Sequence, residues 1–178
     1  MNNAMDQHIY DTWQTHVPAD FAPDSRVWIY QANRRLGIGE ALRIEPLLED
    51  FVANWKSHGA PVKGFANLFF GQFLVLMADE TATGVSGCST DSSVRLVKEL
   101  EQLLNISFFD RLMLAFLVKD KIEMLPMAQL NYAFEKGYLT GDSIYFNNLV
   151  QTKAEWLERW MLPVKESWLA SRMGSSAV

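Results

Sequence analysis

Phe73-Leu74-Val75-Leu76-Met77-Ala78-Asp79 decides the fold. The run is short and almost wholly apolar, the pattern of a strand buried on both faces at the centre of a sheet. Gly71-Gln72 separates it from the run Val62 to Phe70, whose alternation is uneven. A glycine at the first central position suits a type II′ turn, so the two runs read as a hairpin.

Outward from the hairpin, Arg26 to Ala32 reads as a further strand, with Val27, Ile29 and Gln31 on one face and Trp28 and Tyr30 on the other. Ile38, Leu42, Leu48, Phe51, Val52 and Trp55 recur at helical spacing up to Gly59 and Pro61. Pro46 lies inside this pattern, which predicts one helix kinked there. The loop Glu80 to Gly87 leads into a helix over about 91–104, carried by Val94, Val97, Leu100, Leu103 and Leu104. Phe108 to Lys119 contains another buried strand.

The order strand–helix–strand–strand–helix–strand predicts an α+β fold, a ferredoxin-like βαββαβ sandwich over 26–119. Its helices would cover one face of an antiparallel sheet. The other face, with Trp28 and Tyr30, needs cover from the Trp-rich C-terminal helix or from a second copy. Residues 1–25 read as an irregular lead-in pinned by Tyr10, Trp13 and Phe21. Residues 26–173 read as a single domain, with 120–173 its helical C-terminal extension and 174–178 a tail. In the extension, Lys119-Asp120-Lys121 is a charged turn before an extended piece at Ile122 to Leu125. A short helix follows from Pro126 to Glu135, then a strand or extended segment from Ser143 to Val150. Thr152-Lys153-Ala154-Glu155 is a capping box, opening a helix that carries Trp156 and Trp160 on one face.

Composition narrows the function classes. The 178 residues are 49% hydrophobic and carry a net charge of −5, enough apolar content for one core and no basic stripe for nucleic acid or an anionic membrane. The single cysteine excludes an internal disulfide and any multi-cysteine zinc site, and no metal or cofactor is expected. The start, Met1 to Asp6, lacks the regions of a secretory signal, and no apolar run approaches the roughly 18–20 residues of a membrane helix. A cytoplasmic protein is expected.

The segment richest in possible chemistry is Ser86-Gly87-Cys88-Ser89-Thr90-Asp91-Ser92-Ser93. At a helix start, free N–H groups and hydroxyls can hold a polar or anionic ligand, and the dipole can stabilise a Cys88 thiolate as a catalytic nucleophile. Asp91 in the same turn opposes both. The spacing of a Cys-x5-Arg phosphatase loop fails too, since Val94 stands in the required place and Arg95 follows one residue late. The simpler expectation is that Ser89, Thr90 or Asp91 caps the helix. Gly37-Ile38-Gly39-Glu40-Ala41-Leu42 echoes a dinucleotide fingerprint, but Leu42 replaces the third glycine and Gly59 and Ala60 stand where its acidic residue belongs. Arg34 and Arg35, like Glu49/Asp50 and Glu99/Glu101, read as solvated surface charges. No P-loop, His-Glu-x-x-His or Gly-x-Ser-x-Gly motif is present.

Gly87-Cys88-Ser89-Thr90-Asp91-Ser92-Ser93-Val94, Phe108-Phe109-Asp110-Arg111 and the segment Phe146 to Glu155 together resemble an uncharacterised family of small bacterial proteins. The likeness extends over nearly the whole chain from about residue 26. Members have at times carried the label "ABC transporter ATPase", although both nucleotide-binding motifs are missing here. The resemblance implies no established activity.

The reading is a non-catalytic binding or regulatory module that self-associates as a homo-oligomer, with Trp156, Trp160 and Trp168 as anchors. Its small polar or anionic ligand would meet Gly87, Cys88, Ser89, Thr90, Asp91, Ser92 and Ser93. The alternatives are a thiol-dependent enzyme in which Asp110, Arg111 or Asn147 assists Cys88, and a structural subunit of a larger complex.

Overall fold

The computed structural model describes residues 10–80 and 87–173. These form two compact units. Of the described residues, one comprises those of Val17–Asp110 with Asn148–Trp156; the other comprises residues 10–16, Arg111–Asn147 and residues 157–173. Helices and antiparallel sheets make both, so the fold is α+β.

In the first unit, β1 (Arg26–Gln31) leads to helix α1 (Ile38–Asn54). A short ladder, β2 (Lys56–Ser57) with β3 (Ala60–Pro61), precedes the hairpin of β4 (Lys63–Phe69) and β5 (Phe73–Asp79). Helix α2 (Gly87–Leu104) follows. The main sheet is antiparallel with order β1-β5-β4. β5 is central as its composition requires, and Phe73 through Ala78 are all fully buried. Ile29 and Asn67 flank Val75, and Trp28 and Ala66 flank Leu76.

The hairpin is real, but its turn differs from the expected two-residue II′ type. Phe69 pairs with Phe73, leaving Phe70, Gly71 and Gln72 as a three-residue loop. Phe70 and Gly71 are both left-handed, at φ of 56° and 66°. Gly71 is held by the chain ahead of α1, whose Leu36 N–H donates to its carbonyl at 2.7 Å. A Cβ there would stand 3.0 Å from the Leu36 carbonyl oxygen.

α1 is one helix through Pro46. Its Ile44 and Leu48 join Leu74, Leu76, Ala78, Val97 and Leu100 in the core. Trp28 and Tyr30 pack against this same core, a correction to their expected place on the sheet's far face. The far face instead carries Phe65 and Phe69, and Trp156 covers them, its ring 5.2 Å from that of Phe69 at 88°. A C-terminal tryptophan covers a sheet face as expected, over a different pair of aromatics.

α2 begins at Gly87, not near residue 91. The reason lies in Ser93, which falls on the buried stripe one turn before Val97. Its hydroxyl donates to the Thr90 carbonyl at 2.7 Å, which lets a serine sit fully buried inside a helix.

In the second unit, β6 (Met113–Val118) and β7 (Lys121–Pro126) form a hairpin through Lys119 and Asp120, both left-handed. A single 3-10 turn leads into α3 (Leu130–Glu135), which ends at a left-handed Gly137. β8 (Ile144–Phe146) and β9 (Met161–Pro163) follow, separated by α4 (Lys153–Arg159), whose residues up to Trp156 belong to the first unit. The four strands make an antiparallel sheet of order β7-β6-β8-β9. Phe116, Leu130, Leu139, Tyr145, Leu162 and Leu169 fill its core.

β6 was the expected fourth strand of a βαββαβ sheet. It pairs instead with β7 and β8, so the sheet of the first unit has three strands among the described residues. Pairing Phe116 with Tyr145 and Leu117 with Ile144 buries β6 between two partners that it could not have at the edge of β1.

Candidate functional site

The helix start singled out by sequence does not form the expected open loop. Gly87 to Ser93 occupy the first two turns of α2. The side chains of Gly87, Cys88 and Ser89 lie outside the described residues, as does Ser86 altogether. Asp91 is exposed. Thr90 gives its carbonyl to Ser93, and the Ser93 hydroxyl lies 3.3 Å from that of Tyr30. Since residues 91–93 are already inside the helix, capping by Ser89, Thr90 or Asp91 is replaced by a start further upstream.

The proposed helpers of Cys88 are divided between the two units. Asp110 and Arg111 are both exposed, Asp110 in the first unit and Arg111 in the second. Asn147 belongs to the second unit, where its N–H donates to the Trp160 carbonyl at 2.6 Å. Its buried side-chain oxygen has no hydrogen-bond partner among the described residues. Of the aromatic anchors, Trp156 and Trp160 are fully buried and only Trp168 reaches the surface. Trp160 packs edge-on against Trp13 at 4.8 Å. The first two are core residues and cannot anchor a second copy.

A concave site does exist, in a place the sequence reading left as core. A groove of about 610 Å³ runs between α1 and β4, within the size range of ligand sites. One wall is a column of α1 residues: Ile38, Leu42, Glu45, Glu49 and Val52. These recur at i, i+4, i+7, i+11 and i+14, so they share one helical face. The core-facing column, Ile44, Leu48, Phe51 and Trp55, lies roughly a third of a turn away at 3.6 residues per turn. Ile38 is 83% and Leu42 62% exposed, although both are large and apolar. The opposite wall is Gly64 through Leu68, five consecutive residues of β4. A sheet face would contribute alternate residues; a continuous run means that the strand's edge lines the groove.

The groove's ends are fixed by specific contacts. At one end the Leu36–Gly71 hydrogen bond ties the start of α1 to the hairpin loop. At the other, Trp55 lies against Gly64 so closely that an added Cβ would stand 2.7 Å from its Cε3. Phe51 and Trp28 hold Trp55 in place, with ring centroids 4.7 and 5.9 Å away. α1 and β4 therefore run antiparallel along the groove.

The two edges of this sheet are treated differently. β1 is covered by its own chain: the Val27 N–H donates to the Gln151 carbonyl at 2.9 Å, and Arg26 bridges to Thr152. The Lys153 N–H then reaches the Ser25 carbonyl and the Ala154 N–H that of Pro23, both at 2.9 Å. The Lys153 ammonium donates to the Phe21 and Ala19 carbonyls. The expected capping box holds this segment: Thr152 Oγ1 accepts from the Glu155 N–H, and Glu155 reaches back to the N–H of Gln151. β4 has no strand on its outer side among the described residues.

Charge is distributed unevenly around the groove. Glu45 and Glu49 stand exposed on the α1 wall, in no ion pair among the described residues. Arg35 lies beside Gly71 at the opposite end. Its neighbour Arg34 is engaged by Glu40, with both guanidinium nitrogens donating to the carboxylate at 2.9 and 2.7 Å. Glu40 also accepts the Gly37 N–H, and the two interactions hold its pKa down at about 2. This pair fixes the first turn of α1 where the groove opens.

Sequence reasoning took Ile38 and Leu42 as part of the core stripe of α1. The available signal was the width of that stripe at the helix start, where Ile38 and Leu42 lie off the column of Ile44, Leu48, Phe51 and Trp55. Among the described residues no cluster of three His, Cys, Asp or Glu could hold a metal, and no helix is long and apolar enough to cross a membrane. Glu80, buried at the end of β5, has no hydrogen-bond partner for either carboxylate oxygen among the described residues. No family model, curated protein or solved structure matches the chain.

Proposed function

We propose that the protein is a small non-catalytic binding module whose site is the groove between α1 and β4. What carries the reading is the pairing of the exposed Ile38 and Leu42 with the bare edge of β4 across a cleft of about 610 Å³. Apolar side chains held in a rigid concave surface are the usual mark of a binding site. The proposal keeps the class expected from sequence and moves its site away from the start of α2. The βα-ββ-α order with β1 beside β5 belongs with it as a ferredoxin-like sandwich lacking its fourth strand.

The test uses the apolar fluorescent probe 8-anilinonaphthalene-1-sulfonate and backbone amide shifts. Saturable binding should move the amides of Ile38, Leu42 and Gly64–Leu68, and Ile38→Gln with Leu42→Gln should abolish it while leaving the melting transition in place. Shifts confined to other surfaces would remove the groove as the site.

A further inference from the structure

The outer edge of β4 has a phase that its own hydrogen bonds reveal. In an antiparallel ladder, alternate residues turn their N–H and C=O towards the partner strand and the others turn them away. The Leu68 N–H donates to the side-chain oxygen of its neighbour Asn67 at 2.8 Å, so it points away from β5. Gly64 and Ala66 share its phase and turn their backbone groups into the groove, whereas Phe65, Asn67 and Phe69 turn theirs to Met77, Val75 and Phe73. The groove thus offers a row of backbone donors and acceptors beside an apolar helical wall, the combination by which sheet edges take up an extended peptide.

Charge sets the occupant's character. Passing along the groove from Gly71 towards Gly64, a strand meets Arg35 and Ile38 first, then Leu42, and then Glu45 and Glu49. A strand antiparallel to β4 travels in that direction. Lys63, the one cation of β4, is engaged by Asp20 at 2.9 Å and leaves the two glutamates unanswered. A second copy of this chain is a poor fit. Pairing β4 with itself about Ala66 would bring the two Glu45–Glu49 columns together, between chains that each carry a net charge of −5.

Resting on the groove reading above, we infer that the occupant is an extended polypeptide strand from a partner protein. It adds antiparallel to β4 along Gly64–Leu68, with an apolar side chain over Leu68 beside Leu42. A lysine or arginine two residues further towards its C-terminus faces Glu45 and Glu49. Backbone hydrogen bonds supply the affinity, and the apolar and basic positions supply the selection.

The probe is a terminally blocked, fluorescein-labelled peptide, Ile-Thr-Leu-Thr-Lys-Thr, followed by anisotropy on the whole chain. It should bind saturably, shift the amides of Gly64 to Leu68, and bind at least about tenfold more tightly than the same peptide with glutamate in place of lysine at low salt. Glu45→Gln with Glu49→Gln, both at exposed positions, should erase that preference and retain binding. Methylation of the peptide nitrogens that face β4 should abolish binding without any change to the protein. Equal binding of the lysine and glutamate peptides would overturn the charge assignment, and binding indifferent to N-methylation would overturn strand addition. In either case the groove itself would stand if the anilinonaphthalene probe still mapped to it. A dimer of the free protein whose Gly64–Leu68 amides shift on dilution would replace the peptide by a second copy. Failure of both peptide and probe would remove the site altogether.

Discussion

The two edges of the β1-β5-β4 sheet pose the same problem and meet it in opposite ways. Both present backbone groups that need partners, and an open edge is a hazard for any sheet. At β1 the chain returns more than a hundred residues later and lays Gln151–Ala154 along the strand, and the Asn148 side chain reaches Gln31 at 3.0 Å. At β4 nothing returns among the described residues. Asn67 blunts the edge, by occupying the Leu68 N–H. A sheet that spends a distant segment on one edge and leaves the other beside an apolar groove treats the second as a place for something else. That contrast is what gives the binding proposal its weight.

The comparison can be broken most severely at its covered side. Trp156 anchors the returning segment by packing against Phe65 and Phe69, and it is fully buried. Trp156→Ala should cost about 3–5 kcal/mol, the usual penalty for deleting a large buried aromatic. Urea denaturation would measure it. The amide of Val27, which donates to Gln151, should at the same time lose exchange protection. A loss under about 1 kcal/mol would mean that the segment is held by its backbone bonds alone.

A milder change sharpens the comparison on the open side. Gly64 lies on the bare edge with Trp55 pressed against it, and a Cβ would meet the ring at 2.7 Å. Trp55 cannot yield freely, being buried between Phe51 and Trp28. Gly64→Ala should therefore destabilise by about 1–3 kcal/mol through overpacking. It should also perturb the indole fluorescence of Trp55. An unchanged stability would show that Trp55 swings aside, and the groove's closed end with it.

What the sequence made legible follows from the range of the interactions involved. β5 could be read because its apolar run is self-contained, and the capping box of α4 because Thr152 and Glu155 lie within one turn of each other. Glu155 reaches one residue further back than the motif implies, to Gln151. The start of α2 was misplaced because Ser, Thr and Asp are both good caps and tolerated inside a helix when they bond backwards, as Ser93 does. Nothing local separates those two uses. The sheet membership of β6 depends on Tyr145 and Ile144, far along the chain, and its apolar run suits either sheet. The groove was hidden for a related reason. Ile38 and Leu42 belong to a helical pattern that is correct in itself, but whether these two meet the sheet is settled only when β4 packs beside α1.

The smallest expected effect concerns the groove's open end and separates it from the closed one by pH. Glu40 is held at about 2, first by its hydrogen bonds from Arg34 and then by the Gly37 N–H, against an ordinary value of 4.5. A carboxylate whose pKa is lower in the folded state binds its proton more readily in the unfolded chain. Its stabilising contribution is therefore complete above about pH 4.5 and is lost as the pH falls towards 2. Glu40→Gln should be slightly less stable than the natural chain at neutral pH, with the gap constant from pH 8 to 6 and closing on acidification to about pH 3. The exposed setting of the pair, 45% for Arg34 and 32% for Glu40, makes the gap sensitive to salt as well. A gap that persists undiminished at the acid end would mean that the loss does not come from the charge of Glu40 and that its ion pair with Arg34 contributes nothing. The first turn of α1 would then be fixed by the Leu36–Gly71 hydrogen bond, and the bare edge of β4 would be held open by the hairpin loop alone.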